Sequence, residues 1–128
     1  MVQPISFKRQ SVNKTSKRLE PARSLDQITS VIIPICQRYA IIKAIVFGSF
    51  AVGDVSKRSD LDLMLIMETD KRFLDRYDGI YREITDAIKH HAVDLLIYTP
   101  GEFQKMQDEP FMRRAVQEGV VFYGRNEE

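Results

Sequence analysis

A chain of 128 residues with 44% hydrophobic residues has the size of one domain, able to bury roughly two-thirds of the surface its unfolded form exposes. No run approaches the roughly 20 apolar residues that span a bilayer, and the opening Met1-Val2-Gln3-Pro4-Ile5-Ser6 lacks the apolar centre of a secretion signal. The expectation is therefore a soluble, cytoplasmic protein without membrane contact. A single cysteine, Cys36, excludes an internal disulfide and a cysteine-based zinc cluster, and reads as a small buried hydrophobe.

Net charge is +1, but residues 1–23 hold six basic side chains (Lys8, Arg9, Lys14, Lys17, Arg18, Arg23) against one acid, Glu20, which leaves the remainder at about −4. Such an arm has the chemistry for phosphate contacts with nucleic acid or for a partner's acidic face. It carries few large apolar residues, so the reading favoured is a solvated basic extension, partly disordered, ahead of a folded domain over 24–128.

Ser24-Leu25-Asp26-Gln27 has the spacing of a capping box, and Leu25, Ile28, Ile32, Ile35 and Tyr39 then recur on one helical face. Pro34 is expected to kink or split that helix, because it removes a backbone donor and crowds the preceding turn. Ile41 to Phe47 is short, apolar and β-branched, which fits a buried strand, and Ser49 to Val55 opens a short helix or turn. Leu61 to Met67 reads as a second strand. A Thr69-Asp70 cap begins a helix with Leu74, Tyr77, Tyr81, Ile84 and Ile88 on one side, which Gly79 weakens without ending. Ala92 to Tyr98 is the third strand, stopped by Thr99-Pro100-Gly101. Short helices over 102–107 and 111–118, a stop at Gly119 and a last apolar segment, Val120–Tyr123, complete the chain. Helices alternating with short buried strands predict an α/β or α+β domain around one sheet.

Aspartate is a poor strand former, so Asp60 and Asp62 at the mouth of an apolar strand need an explanation. Spaced by two, they leave the strand on the same face. Paired anions repel unless a cation sits between them, and hard oxygen ligands of this kind suit Mg²⁺ or Mn²⁺. Asp94, inside the third strand, completes such a site if its strand neighbours the second. Three carboxylates can hold two metals roughly 3.5–4 Å apart, the arrangement that clamps attacking and leaving oxygens in phosphoryl transfer. Asp60 and Asp62 are then expected to hold both metals, and Asp94 to hold one and help activate the incoming hydroxyl.

Gly48-Ser49 follows the first strand directly. Glycine allows a sharp turn and close approach of a phosphate, and the backbone amides and Ser hydroxyl are phosphate donors. The loop Gly53-Asp54-Val55-Ser56-Lys57-Arg58-Ser59 leads on to the carboxylates, and its Lys57, Arg58 and Ser59 are placed to meet a triphosphate from the other side, unless they form only a solvated basic loop. Gly-Ser alone, or Asp-x-Asp alone, is weak evidence. Their order, with an 11-residue step from Ser49 to Asp60 and an Asp inside a third strand, is specific.

The string Phe47-Gly48-Ser49-Phe50-Ala51-Val52-Gly53 … Ser59-Asp60-Leu61-Asp62-Leu63 with Val93-Asp94-Leu95 resembles the minimal nucleotidyltransferases of the DNA polymerase β-like superfamily. The ending Glu118-Gly119-Val120-Val121-Phe122-Tyr123 is also similar to theirs. The likeness covers about 41–123. It implies a mixed β-sheet with helices mainly on one face, two Mg²⁺ ions, and transfer of a nucleoside monophosphate, AMP from ATP being favoured, to a hydroxyl of a protein or small acceptor. Gly48, Ser49, Asp60, Asp62 and Asp94 match functional positions of the motif. One departure stands out: members often carry Arg where this chain has Val52, and Lys57 and Arg58 are the candidates to replace that cation.

The resemblance also implies a partner, since stand-alone minimal members often act as antitoxins beside a helical HEPN-type toxin and in some cases adenylylate it. A chain this short leaves no room for a large acceptor-binding domain. Two alternatives remain at this stage: a non-catalytic module that neutralises a partner by capping it, and transfer to a small acceptor or to RNA through the basic arm. His90-His91 do not share one ion easily, because adjacent helical residues point about 100° apart, and are expected to complement a helix dipole. Tyr77 and Tyr81 are expected in the core or an interface. Phe103, Met106, Phe111 and Met112 are expected to pack in the core, with an exposed partner-binding surface around Glu109-Pro110 as the alternative.

Overall fold

A computed structural model describes residues 24–53, 60–89 and 91–124. The basic extension, the loop carrying Lys57, Arg58 and Ser59, and His90 lie outside the described residues.

The first helix, α1 (Leu25–Arg38), starts where the capping box predicts: the Gln27 amide donates to the Ser24 hydroxyl at 3.2 Å and the Ser24 amide to the Gln27 side chain at 2.7 Å. It runs through Pro34 unbroken, so of the expected kink or split the split does not occur. Pro34 and Ser30, whose carbonyl loses its partner, are both exposed, so water takes the place of the missing donor. Ile28, Ile32, Ile35 and Cys36 face inward and are buried. Burial pushes the Cys36 thiol up to about 12, which keeps it protonated and inert.

Strand β1 (Lys43–Phe47) leads into a four-residue helix, α2 (Ser49–Val52), and β2 spans Leu61–Ile66. The single helix expected after Thr69 is instead a 3-10 helix, Phe73–Tyr77, followed by α3 (Ile80–Ala87). Gly79 separates them with φ +83°, and a Cβ there would lie 2.9 Å from the Tyr39 hydroxyl. The chain thus turns at a backbone angle and a close approach that glycine tolerates. The break corrects the expected apolar side: Leu74 is 78% exposed and Tyr81 44%, while Arg76, Ile80, Ile84 and Ile88 are buried. Thr69 accepts from the Lys71 amide in a turn rather than capping a helix. Tyr77 is half-buried, its hydroxyl accepting from the Ile97 amide at 3.0 Å.

Strand β3 (Val93–Tyr98) is followed by α4 (Pro100–Lys105), α5 (Pro110–Glu118) and β4 (Val120–Gly124). Thr99 both ends β3 and caps α4 in a second capping box, with Pro100 in the first turn. The Thr-x-x-Glu spacing carries that signal, and the helix starts two residues earlier than expected. Gly119 ends α5, and a Cβ there would collide with the Ala115 carbonyl oxygen.

The strands form one mixed sheet in the order β3-β2-β1-β4, with β2 and β3 parallel and both pairs made by β1 antiparallel. Strand alternation divides the side chains. Ala44, Val46, Leu61, Leu63, Leu65, Val93, Leu95 and Ile97 meet α1, α3 and Phe50 of α2 in the larger core. Ile45, Met64 and Ile66 meet Met112 and Ala115 of α5 on the opposite face, with Phe47, Leu96, Tyr98, Phe103 and Met106 packed around them. The sheet is mixed and its helices lie mainly on one face, as the resemblance implies.

Candidate active site

At the end of β1, Phe47 pairs with Asp62 across the antiparallel ladder. In the parallel ladder Asp62 is the register partner of Asp94. The two carboxylates therefore leave neighbouring strands side by side, on the face carrying the smaller core. Asp60 immediately precedes β2 and is exposed, Asp94 is exposed, and Asp62 is half-buried. Burial, the charge of Asp94, a hydrogen bond shared with Asp94 and the charge of Asp60, in that order, push the Asp62 carboxyl up to about 6.

The turn after β1 is built around that carboxylate. Gly48 has φ +73° and ψ −151°, and a Cβ at this position would collide with Asp62 Oδ2. The Gly48 carbonyl accepts from the amides of Ala51 and Val52 at 3.0 and 3.2 Å, which leaves the Ser49 and Phe50 amides without an intrahelical partner. Phe50 is buried and carries the turn on the larger core, edge-on to His91 with ring centroids 5.0 Å apart. His91 is thus a buried packing residue beyond α3, which ends at Ala87, and not the helix-end charge the sequence suggested. Gly48→Ala is expected to cost about 1–3 kcal/mol from the left-handed backbone and the collision, and to displace Asp62; chemical denaturation at neutral pH measures it.

The structure thus brings Gly48, Ser49, Asp62 and Asp94 to one corner of the sheet, with Asp60 within electrostatic range. Among the described residues, no group of three or more His, Cys, Asp or Glu side chains is arranged to hold a metal ion. The convergence argued from sequence, Asp60 with Asp62, is in the structure foremost a convergence of Asp62 with Asp94, because adjacent parallel strands place register partners closer than the strand mouth does. The donor set still fits a hard divalent cation: all oxygen, anionic, and with a carboxyl whose ionisation its neighbours oppose. Lys57, Arg58 and Ser59 fall outside the described residues. Val52 is 60% exposed on α2 and offers no charge.

Residues 30–128 match the sequence profile of the family described as "Polymerase beta, Nucleotidyltransferase". The chain is a member of that nucleotidyltransferase family. Two relatives in Methanocaldococcus jannaschii carry a more specific name. This nucleotidyltransferase is 30% identical over 88 residues, 67% of its length and 82% of the relative's, to "Putative protein adenylyltransferase MJ0604". It is 26% identical over 92 residues, 57% of its length and 99% of the relative's, to "Putative protein adenylyltransferase MJ0435". Its fold is similar to a solved chain described as "Crystal structure of the toxin-antitoxin with AMP-PNP", with TM-score 0.57 and 17% identity over 80% of this chain and 76% of that one. No helix among the described residues is long and apolar enough to cross a membrane.

Sequence reasoning passed over Phe47 as a site neighbour, because alternation groups it only with Ile45 on its own strand and the β1–β2 register is what sets it beside Asp62. Phe111 entered it only as part of an apolar group that the structure divides. Met112 is fully buried, Phe103 and Met106 are partly buried, and Phe111 remains 51% exposed with its ring edge-on to Phe47.

Proposed function

We propose that this nucleotidyltransferase moves AMP from ATP to a hydroxyl group of a partner protein. The observation that carries the reading is the Asp62–Asp94 pair, with Asp60, beside the Gly48–Ser49 turn. Relatives named as protein adenylyltransferases support the nucleotide and the acceptor class. The description of the fold neighbour, a toxin-antitoxin with AMP-PNP, supports a partner protein, for which a helical HEPN-type toxin is our candidate.

In this mechanism the Gly48–Ser49 turn, with its backbone amides and the Ser49 hydroxyl, receives the leaving phosphates, and Lys57, Arg58 and Ser59 are our candidates for further phosphate-binding groups. Asp60, Asp62 and Asp94 would hold Mg²⁺, two ions on the family pattern with Mn²⁺ as a substitute, which when bound supplies positive charge to the phosphates and relieves the repulsion among the carboxylates. The acceptor oxygen bonds to the α-phosphorus, the bond from that phosphorus to the β-phosphate oxygen breaks, and pyrophosphate leaves with the electron pair. Asp94, exposed on an edge strand, takes the acceptor's proton. Incubation of the chain with labelled ATP, Mg²⁺ and the product of the adjacent gene is expected to label that product. Absence of label with all four nucleoside triphosphates overturns the proposal.

A second reading, capping without chemistry, is favoured by one observation: Val52, exposed where many members carry Arg, gives the phosphates no cation. If the double variant Asp60→Asn, Asp62→Asn neutralises the partner as fully as the parent does, capping is the working activity.

A further inference from the structure

We propose that Phe47 and Phe111 form the platform on which the base of the donor nucleotide stacks, an inference that rests on the nucleotidyl-transfer reading above. Phe47 is the register partner of Asp62, so its side chain leaves the sheet on the same face, one strand spacing of about 5 Å away. The chain passes from Phe47 directly into Gly48 and Ser49, so the aromatic ring, the phosphate turn and the carboxylates share one corner. Phe111, the second residue of α5, meets Phe47 with ring centroids 5.7 Å apart at 80°. That edge-on contact leaves ring surface open, and Phe111 is 51% exposed. Met112 and Ala115, both buried against Ile45 and Met64, fix α5 on the sheet and therefore fix where Phe111 stands.

A single exposed phenylalanine is ordinary; the position of this one names its occupant. With the α-phosphate at Asp62 and Asp94 and the outer phosphates at Gly48 and Ser49, the ribose and base must leave on the same face of the sheet. The opposite face is filled by α1, α3 and the larger core. On the face of the smaller core, beyond the part that α5 covers, exposed Asp94 on edge strand β3 is left to the acceptor, while the aromatic pair lies on the β1 side. The base therefore falls to the aromatic side and the acceptor to the carboxylate side. A purine has the larger ring surface to stack, and stacking tolerates any base because each has a π face.

The experiment is titration of the full chain with ATP and, separately, with inorganic tripolyphosphate, each with Mg²⁺, for the parent, Phe111→Ala and Phe111→Tyr. The expected result is a roughly tenfold weaker ATP affinity for Phe111→Ala, unchanged tripolyphosphate affinity, and recovery in Phe111→Tyr. Equal weakening toward both probes, or no weakening toward ATP, overturns the platform. So does a Phe111→Ala variant that binds ATP normally but raises the KM for the acceptor protein, which would assign the ring to the acceptor. A parent that binds ATP with the expected Phe111 dependence but labels no acceptor preserves the platform and overturns the transfer reading. A parent that transfers AMP with no dependence on Phe111 does the reverse.

Discussion

Asp62→Asn is expected to lower the proposed AMP transfer about 1,000-fold, equivalent to roughly 4 kcal/mol of transition-state stabilisation, while leaving the fold at least as stable as the parent at neutral pH. Both outcomes follow from one arrangement. Asp62 is the carboxylate held between Gly48, Asp94 and Asp60, so its charge is the one that donor and cation would use. Without them that charge is opposed by its surroundings. Its pKa is raised from 3.8 to about 6 by burial and by its acidic neighbours. The folded state therefore holds the proton more tightly than the unfolded state, and the stability this contributes is present below 3.8 and lost as pH rises through about 6. Denaturation in chelator across that window should show the decline in the parent and its absence in Asp62→Asn. A variant that loses transfer together with several kcal/mol of stability would mean that Asp62 serves the fold rather than the chemistry.

Arg76→Ala is expected to destabilise the protein by about 3 kcal/mol, the lower end of the range for breaking a buried ion pair. Arg76 is 8% exposed. It donates to both Glu102 carboxylate oxygens at 2.7 and 2.8 Å, to the Ile97 carbonyl at 3.1 Å and to the Lys71 carbonyl at 3.2 Å, and lies 5.4 Å from the centre of the Phe73 ring. One side chain thereby ties the 3-10 helix, the end of β3 and the first turn of α4. Glu102 is 40% exposed, so water can rescue it once Arg76 is gone, which places the cost at the lower end. Arg76, the backbone amide of Thr99 and its side chain hold the Glu102 carboxyl down at about 2 from 4.5. A depressed folded-state pKa contributes stability that is present above 4.5 and lost as pH falls towards 2. The parent should weaken across that window, and Arg76→Ala much less. Urea titrations at pH 5 and pH 3 separate the two. The site lies at the other end of β2 and β3, so Arg76→Ala protein that remains folded should keep its affinity for ATP.

Much of the frame was legible because it depends on local rules. The Ser24–Gln27 box, the three apolar strands and the stops at Gly48 and Gly119 each carry their signal within a few residues. The departures have physical causes that span the fold. Pro34 stays helical because its side of α1 faces water. Gly79 separates two helices where the Tyr39 hydroxyl, just past α1, leaves no room for a Cβ. His91 is buried because Phe50 packs against it from α2. Arg76, in sequence an ordinary surface cation, is buried because Glu102, 26 residues on, closes over it.

Sequence alone determines that Gly48-Ser49 follow the first strand, that Asp60 and Asp62 stand at the mouth of the second and that Asp94 lies in the third, and so points to a candidate phosphate turn and carboxylate site. Which carboxylates meet was decided only by the tertiary structure. Sequence spacing couples Asp60 to Asp62, whereas the parallel pairing of β2 with β3 makes Asp62 and Asp94 register partners, and the antiparallel pairing of β1 with β2 sets Phe47 and Gly48 against the same carboxylate. Periodicity fixes the face from which a side chain leaves its own strand. Strand order and register fix its neighbour.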